Sequence, residues 1–145
     1  LALAGKKDSN YARHETYVNE HGIKNVVFTG FISDEQLRWM YENTAVYCFP
    51  SLSEGFGLPG LEAMLHGAPV ASSTATCLPE THGDAAHYFD PFSVKDIAKS
   101  IDDILSDDKL RNELIKKGKK HVKIFSWQRM AEQTLAVYEK YGRKS

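Results

Sequence analysis

Two cysteines are all that this 145-residue chain carries, and that scarcity excludes a small disulfide-stapled secreted scaffold. Cys48 and Cys77 form no CxxC pair and lie among apolar or small residues. They are expected to be reduced, buried structural thiols of a cytosolic protein. Charge of one sign is lacking too: 18 Lys and Arg stand against 19 Asp and Glu, a formal net charge of -1. With no basic block to hold a polyanion or an anionic bilayer, nucleic acid is not an expected partner. No apolar run approaches the roughly 18 residues of a membrane span, and residues 1–5 lack the basic stretch that opens a signal peptide. The six histidines form no HxxxH or HExxH pair, and the acidic pairs Asp102-Asp103 and Asp107-Asp108 lack D-x-D spacing. No metal is expected, and both acidic pairs are expected on solvated helix surfaces.

What is present is the length of one ordinary domain and a regular alternation of elements. Short apolar runs of strand character recur at residues 1–4, 26–29, 46–50, 69–72 and 87–89. The first reads as a buried strand from inside a domain, so the natural start is expected upstream. Helical spacing fills most intervals. Residues 10–21 form one helix; Ser33 and Gln36 make a capping box ahead of Leu37, Met40 and Tyr41 on one face of the next. Residues 59–66 follow, with Pro59 at a first helical position, Gly67 just past the end and Pro69 preventing continuation. His66 is then a favourable partner for the end of that helix dipole. The last third is helical, with caps at Ser93 and Ser126, a break at Ser106-Asp107-Asp108 and a tail at 143–145 expected to fray. Apolar strands alternating with helices predict an α/β fold, a Rossmann-like parallel sheet with helices on both faces.

The stretch from Ser53 to Met64, SEGFGLPGLEAM, lies between a strand and a helix N-terminus. Gly55 and Gly57 permit tight turning and close approach of a ligand to backbone amides. The amides and dipole at the start of the following helix favour a negative group such as a diphosphate. Glu54 on the loop and Glu62 in the helix bracket that position, each able to accept hydrogen bonds from sugar hydroxyls. Lys6 and Lys7 after the first strand could face a phosphate, while His82 and His87 read as structural.

Glu54 and Glu62, seven residues apart, resemble the E-x7-E motif of GT4-type retaining glycosyltransferases. The segments VFTGFISDE (27–35), FPS (49–51), GAPVAS (67–72), LPE (78–80) and GDAA (83–86) resemble the C-terminal half of the same family, in order, across nearly the whole chain. The resemblance implies the C-terminal half of a GT-B fold, with its first strand and helix missing. That strand would sit centrally in a dinucleotide-type sheet, so its loss is expected to open two ladders. Residues 1–125 would form a partial nucleotide-sugar-binding domain, and residues 126–145 a closing helix, its aromatics exposed, that packs toward an absent N-terminal domain.

For the site, the resemblance implies that Glu62 binds the ribose hydroxyls and that Glu54, the catalytic-site carboxylate, binds a hydroxyl of the donor sugar. Main-chain groups of Phe56, Gly57 and Leu58 would line sugar and phosphates. Gly30, Phe31 and Ile32 would hold the base, with Asp34 nearby, although Asp34 reads equally as a first-turn acid behind Ser33. The implied activity is metal-independent transfer of a hexose from a nucleotide-diphosphate sugar, GDP-mannose before UDP-sugars, to a saccharide or lipid-linked acceptor, as in polysaccharide biosynthesis. No cofactor is implied. The setting would be cytoplasmic, with any peripheral attachment to the inner membrane face made by the missing domain. By itself the chain is expected to be inactive. Two alternatives stand beside this: a nucleotide-sugar epimerase of similar architecture, which the EGFGLP loop disfavours, and a non-catalytic nucleotide-sugar-binding module or subunit of a split enzyme.

Overall fold

The computed structural model describes residues 1–142; the tail expected to fray at 143–145 lies outside the described residues. The chain divides into two compact units, Leu1–Met40 and the remainder from Tyr41.

In the first unit β1 (Ala2–Ala4) pairs in parallel with β2 (Val27–Gly30), Leu3 opposite Phe28, and α1 (Ser9–Glu20) crosses between them. Asp8 caps α1 by accepting the Tyr11 N–H at 2.9 Å, satisfying one of the first-turn donors. The Tyr11 ring meets Phe28 edge-on at 5.3 Å and docks α1 on β2. β1 corrects one expectation, since it is a strand but an exposed one, with Leu3 36% accessible. Among the described residues its ladder has two strands, β1 and β2, so little apolar surface reaches it. The unit ends in α2 (Asp34–Asn43), which runs past the boundary. Its capping box forms as expected: Ser33 Oγ accepts the Gln36 N–H at 3.3 Å, and Gln36 Oε1 accepts the Ser33 N–H at 2.9 Å.

The second unit holds a three-stranded parallel sheet, β3 (Tyr47–Phe49), β4 (Val70–Ser73) and β5 (Ala86–Phe89), with β4 central. Cys48 faces Ala71, and Ala71 faces His87. Neighbouring residues of a strand point to opposite faces, and β4 shows both. Ala71 joins Phe89 in a core with Ile104 of α5 (Val94–Ser106) and Leu114 of α6 (Asp108–His121). Ser72, on the other face, bonds His82 at the end of α4 (Leu78–His82). Helices therefore cover both faces. Phe89, Met64, Leu78, Ile104 and Val70 are fully buried, each worth about 1.5–3 kcal/mol of apolar burial. In the first unit Gly30 is the only buried residue, so the hydrophobic stabilisation lies almost wholly in the second.

α3 (Leu58–Leu65) is short and sharply bounded, as its proline and glycine predict. Gly67 ends it at φ 84°, where only glycine is unstrained, and its N–H donates to the Met64 carbonyl at 3.1 Å. Gly118 of α6 lets the Met64 side chain lie against the helix backbone; a Cβ there would stand 3.0 Å from Met64 Cγ. α7 (Trp127–Tyr141) starts behind the Ser126 cap and buries none of its residues, Trp127 being 74% accessible. Its aromatics are exposed, as expected. The acidic pairs are less idle than expected: Asp107 caps α6 through the Lys109 and Leu110 amides, and Asp103 pairs with Lys99 at 2.7 Å and His87 at 3.1 Å. Among the described residues no helix is long and apolar enough to cross a membrane.

Candidate functional site

The strand-to-helix connection from Phe49 to α3 is built by contacts from three directions. Gly57, the N-cap residue of α3, takes a left-handed conformation (φ 88°) that an L side chain rarely adopts. Its carbonyl accepts the Gly60 N–H at 3.1 Å and faces Nε2 of the fully buried His82, also at 3.1 Å. The backbone of Glu54 is held by Thr76, whose Oγ1 accepts the Glu54 N–H and donates to the Glu54 carbonyl, each at 3.2 Å. The Cys77 thiol donates to the same carbonyl at 3.3 Å. The carboxylate of Glu54, partly buried, accepts from the Ser51 hydroxyl at 2.9 Å. Phe56 packs edge-on against Phe125 at 5.7 Å, which braces the glycine loop from the segment before α7.

Beside this loop is an open, mainly apolar groove of about 710 Å³, bounded by Phe56, Leu58 and Glu62 on one side and by Phe125, Trp127 and Arg129 on the other. Glu62, the fifth residue of α3, is exposed there. Burial pushes the Tyr41 and Tyr47 phenols up, and the Glu62 carboxylate raises both further. The two rings meet edge-on at 5.2 Å, and His66, at the end of α3, stacks on Tyr41 and sits 3.5 Å from the Glu42 carboxylate. Both phenols therefore stay protonated at neutral pH.

Of the residues singled out from sequence, the groove collects Phe56, Leu58 and Glu62; Gly57 lies buried at the helix start, and Glu54 sits in the Thr76 and Ser51 contacts rather than on the groove wall. In the first unit Gly30 is a left-handed turn (φ 69°) closing β2, Phe31 is 83% accessible and Ile32 partly buried. Asp34 opens α2 as an exposed first-turn acid. Lys7 lies over this turn, its Nζ 5.9 Å from the centre of the Tyr11 ring, and the Tyr11 hydroxyl is buried without a hydrogen-bond partner. The thiols correct another expectation: both are free but only partly buried, and Cys77 binds the Glu54 carbonyl.

Residues 1–121 match the family described as Glycosyl transferases group 1. The chain belongs to this family. It is 38% identical over 145 residues to the MMP alpha-(1->4)-mannosyltransferase of Mycolicibacterium hassiacum, covering 97% of this chain and 35% of that protein. It is 40% identical over 112 residues to the O-antigen chain mannosyltransferase B of Escherichia coli, covering 77% of this chain and 29% of that one. Among solved structures, the sucrose-phosphate synthase of Thermosynechococcus elongatus superposes with a TM-score of 0.85 at 31% identity, over 97% of this chain and 38% of that one. The chain thus spans about a third of the length of the curated group 1 relatives it matches. The α/β, Rossmann-like architecture expected for half of a GT-B glycosyltransferase is the one observed.

Thr76, Ser72, His82 and Phe125 were not legible as site residues. Their partners lie 10 to 25 residues away for the histidine contacts and 22 for Thr76, and no local spacing encodes such contacts. The one available signal was Gly57 and Gly60 together, since paired glycines at a helix start leave room for a ring.

Proposed function

We propose that this chain is the donor-binding part of a retaining, metal-independent glycosyltransferase that moves a hexose, mannose in the first instance, from a nucleotide-diphosphate sugar to a saccharide or lipid-linked acceptor. The observation that carries the proposal is the start of α3: a left-handed Gly57 at its N-cap, with Leu58 of its first turn and Glu62 lining one groove, in a chain of the group 1 family. Backbone N–H groups at a helix N-terminus favour a phosphate, and an exposed carboxylate five residues into the helix suits a vicinal diol. Glu62 accordingly takes the ribose hydroxyls, Glu54 a hydroxyl of the donor sugar, and the Phe56, Gly57 and Leu58 main chain the phosphates and sugar. Mannose ranks first because relatives at 38% and 40% identity are mannosyltransferases.

On this proposal α7 is a closing helix toward a further domain, and the 145 residues bind donor without turning it over. A helix terminus offers only about half a unit charge to a leaving diphosphate. Calorimetric titration with GDP-mannose and UDP-glucose, beside a radiolabelled transfer assay, tests the reading. Saturable binding with GDP-mannose preferred is the expected result; no binding of either donor overturns it.

A further inference from the structure

We infer that His82 is the positioning residue of the glutamate loop: as its Nε2–H tautomer it clamps the Gly57 carbonyl and so fixes the left-handed turn that presents the first amides of α3. The ring is fully buried, with Nε2 3.1 Å from the Gly57 carbonyl and Nδ1 3.1 Å from Ser72 Oγ. A carbonyl oxygen only accepts, so Nε2 carries the proton; the neutral ring leaves Nδ1 to accept from the Ser72 hydroxyl. Ser72 belongs to the fully buried central strand β4. The imidazole therefore ties the loop to the buried central strand of the second unit.

The surroundings are cut to the ring. A Cβ on Gly60 would collide with its Cε1 and Nε2, and a Cβ on Gly57 would collide with Leu78 and stand 3.3 Å from Nε2. Gly57, being a glycine, gives α3 no side-chain cap. The hydrogen bond at its carbonyl comes instead from α4, and with the Gly60 N–H it occupies both lone pairs of that oxygen. A buried histidine that only filled space would not need this tautomer.

The inference rests on the donor-binding reading only for the identity of the ligand presented to the loop. Its test uses the ¹⁵N-labelled 145-residue chain. A long-range ¹H–¹⁵N spectrum at neutral pH reports the His82 tautomer, and the Gly57, Leu58, Gly60 and Leu61 amides report the loop. H82Q keeps a donor at the reach of Nε2, whereas H82N reaches only the Nδ1 position and Ser72.

The Nε2–H form is expected in the wild type, with loop amides preserved in H82Q and displaced in H82N. GDP-mannose affinity should be near wild type in H82Q and weaker by about tenfold in H82N, the loss of one buried hydrogen bond. An Nδ1–H tautomer overturns the inference, as do wild-type loop amides or wild-type affinity in H82N. If neither variant folds, the wild-type tautomer decides alone. If the wild type binds neither GDP-mannose nor UDP-glucose, the donor reading fails while tautomer and amides still decide the role of His82.

Discussion

The Thr76 hydroxyl grips both backbone groups of Glu54, accepting from its N–H and donating to its carbonyl, each at 3.2 Å. Thr76 does so from a left-handed conformation, φ 50°, that a β-branched residue rarely takes. Such a conformation costs about 1–3 kcal/mol and persists where surrounding contacts over-determine it. Here the two hydrogen bonds offset it. The backbone of Glu54 is thus set from the turn after β4, while its carboxylate is steered by Ser51, so loop position and side-chain direction have separate supports.

Thr76→Val keeps the shape of the side chain and the strained backbone but removes both bonds to Glu54. It should lower stability by about 1–3 kcal/mol, and Thr76→Ser, which retains the hydroxyl, should lose much less. Urea midpoints of the two variants check this. A valine variant as stable as the wild type would show that the hydroxyl does not hold the loop.

Gly60→Ala places a methyl group against the His82 ring, an overpacking that costs about 1–3 kcal/mol in a tightly filled site. Removing the ring should relieve it, so the loss on Gly60→Ala should shrink in a His82→Ala background. A double-mutant cycle in urea measures the coupling. Strict additivity would mean that the two residues do not share the space assigned to them.

The strands, the helix caps and the limits of α3 were legible because each rests on residues within one turn or one run: Ser33 with Gln36, Pro59 with Gly67, Ser126 before Trp127. The groove-facing Glu62 was legible for the same reason, being fixed by its distance from Gly57 along one helix. The exposure of β1 was not, since burial of a strand depends on what lies beside it and not on its own Leu-Ala pattern. Nor was the support of Glu54 by Thr76, or of Gly57 by His82. Those contacts close loops of more than twenty residues and exist only after β3 and β4 have paired. His82, which reads from sequence as a structural histidine, is indeed buried in the core, and its position beside Gly57 is what spacing could not convey.

Burial holds the His82 imidazole below the ordinary histidine value of about 6.5; the Gly57 carbonyl bond opposes that shift, and His121, packed nearby from α6, adds to it. Below the ordinary value the unfolded chain binds a proton that the folded chain refuses. The stability contributed by His82 is therefore fully present above about pH 6.5 and lost as pH falls through the folded value, with a slope of at most about 1.4 kcal/mol per pH unit for one proton. The depressed carboxyls of Asp103 and Glu113 act below about pH 4, the ordinary carboxylate range, and leave this window clear. Urea midpoints between about pH 7.5 and about pH 5 should fall less steeply in His82→Gln than in the wild type. Parallel slopes would assign the loss to other groups.

Glu62→Ala tests the donor site most directly. The carboxylate stands exposed on the groove wall, and the Tyr41 and Tyr47 phenols that its charge pushes up stay protonated at neutral pH and do not neutralise it. Charge-assisted hydrogen bonds to a ribose diol contribute about 1.5–3 kcal/mol. The ribose is remote from the reacting sugar carbon, so those bonds are made equally in the ground state and in the transition state. Losing them should weaken GDP-mannose binding by roughly 10- to 150-fold, raise donor KM by the same factor in a transferring protein that contains this chain, and leave kcat near its wild-type value. Glu62→Gln, which keeps one acceptor without the charge, should fall between the two. A fall in kcat at constant KM would place Glu62 at the reacting centre instead, and an unchanged affinity in Glu62→Ala would remove it from the donor site altogether.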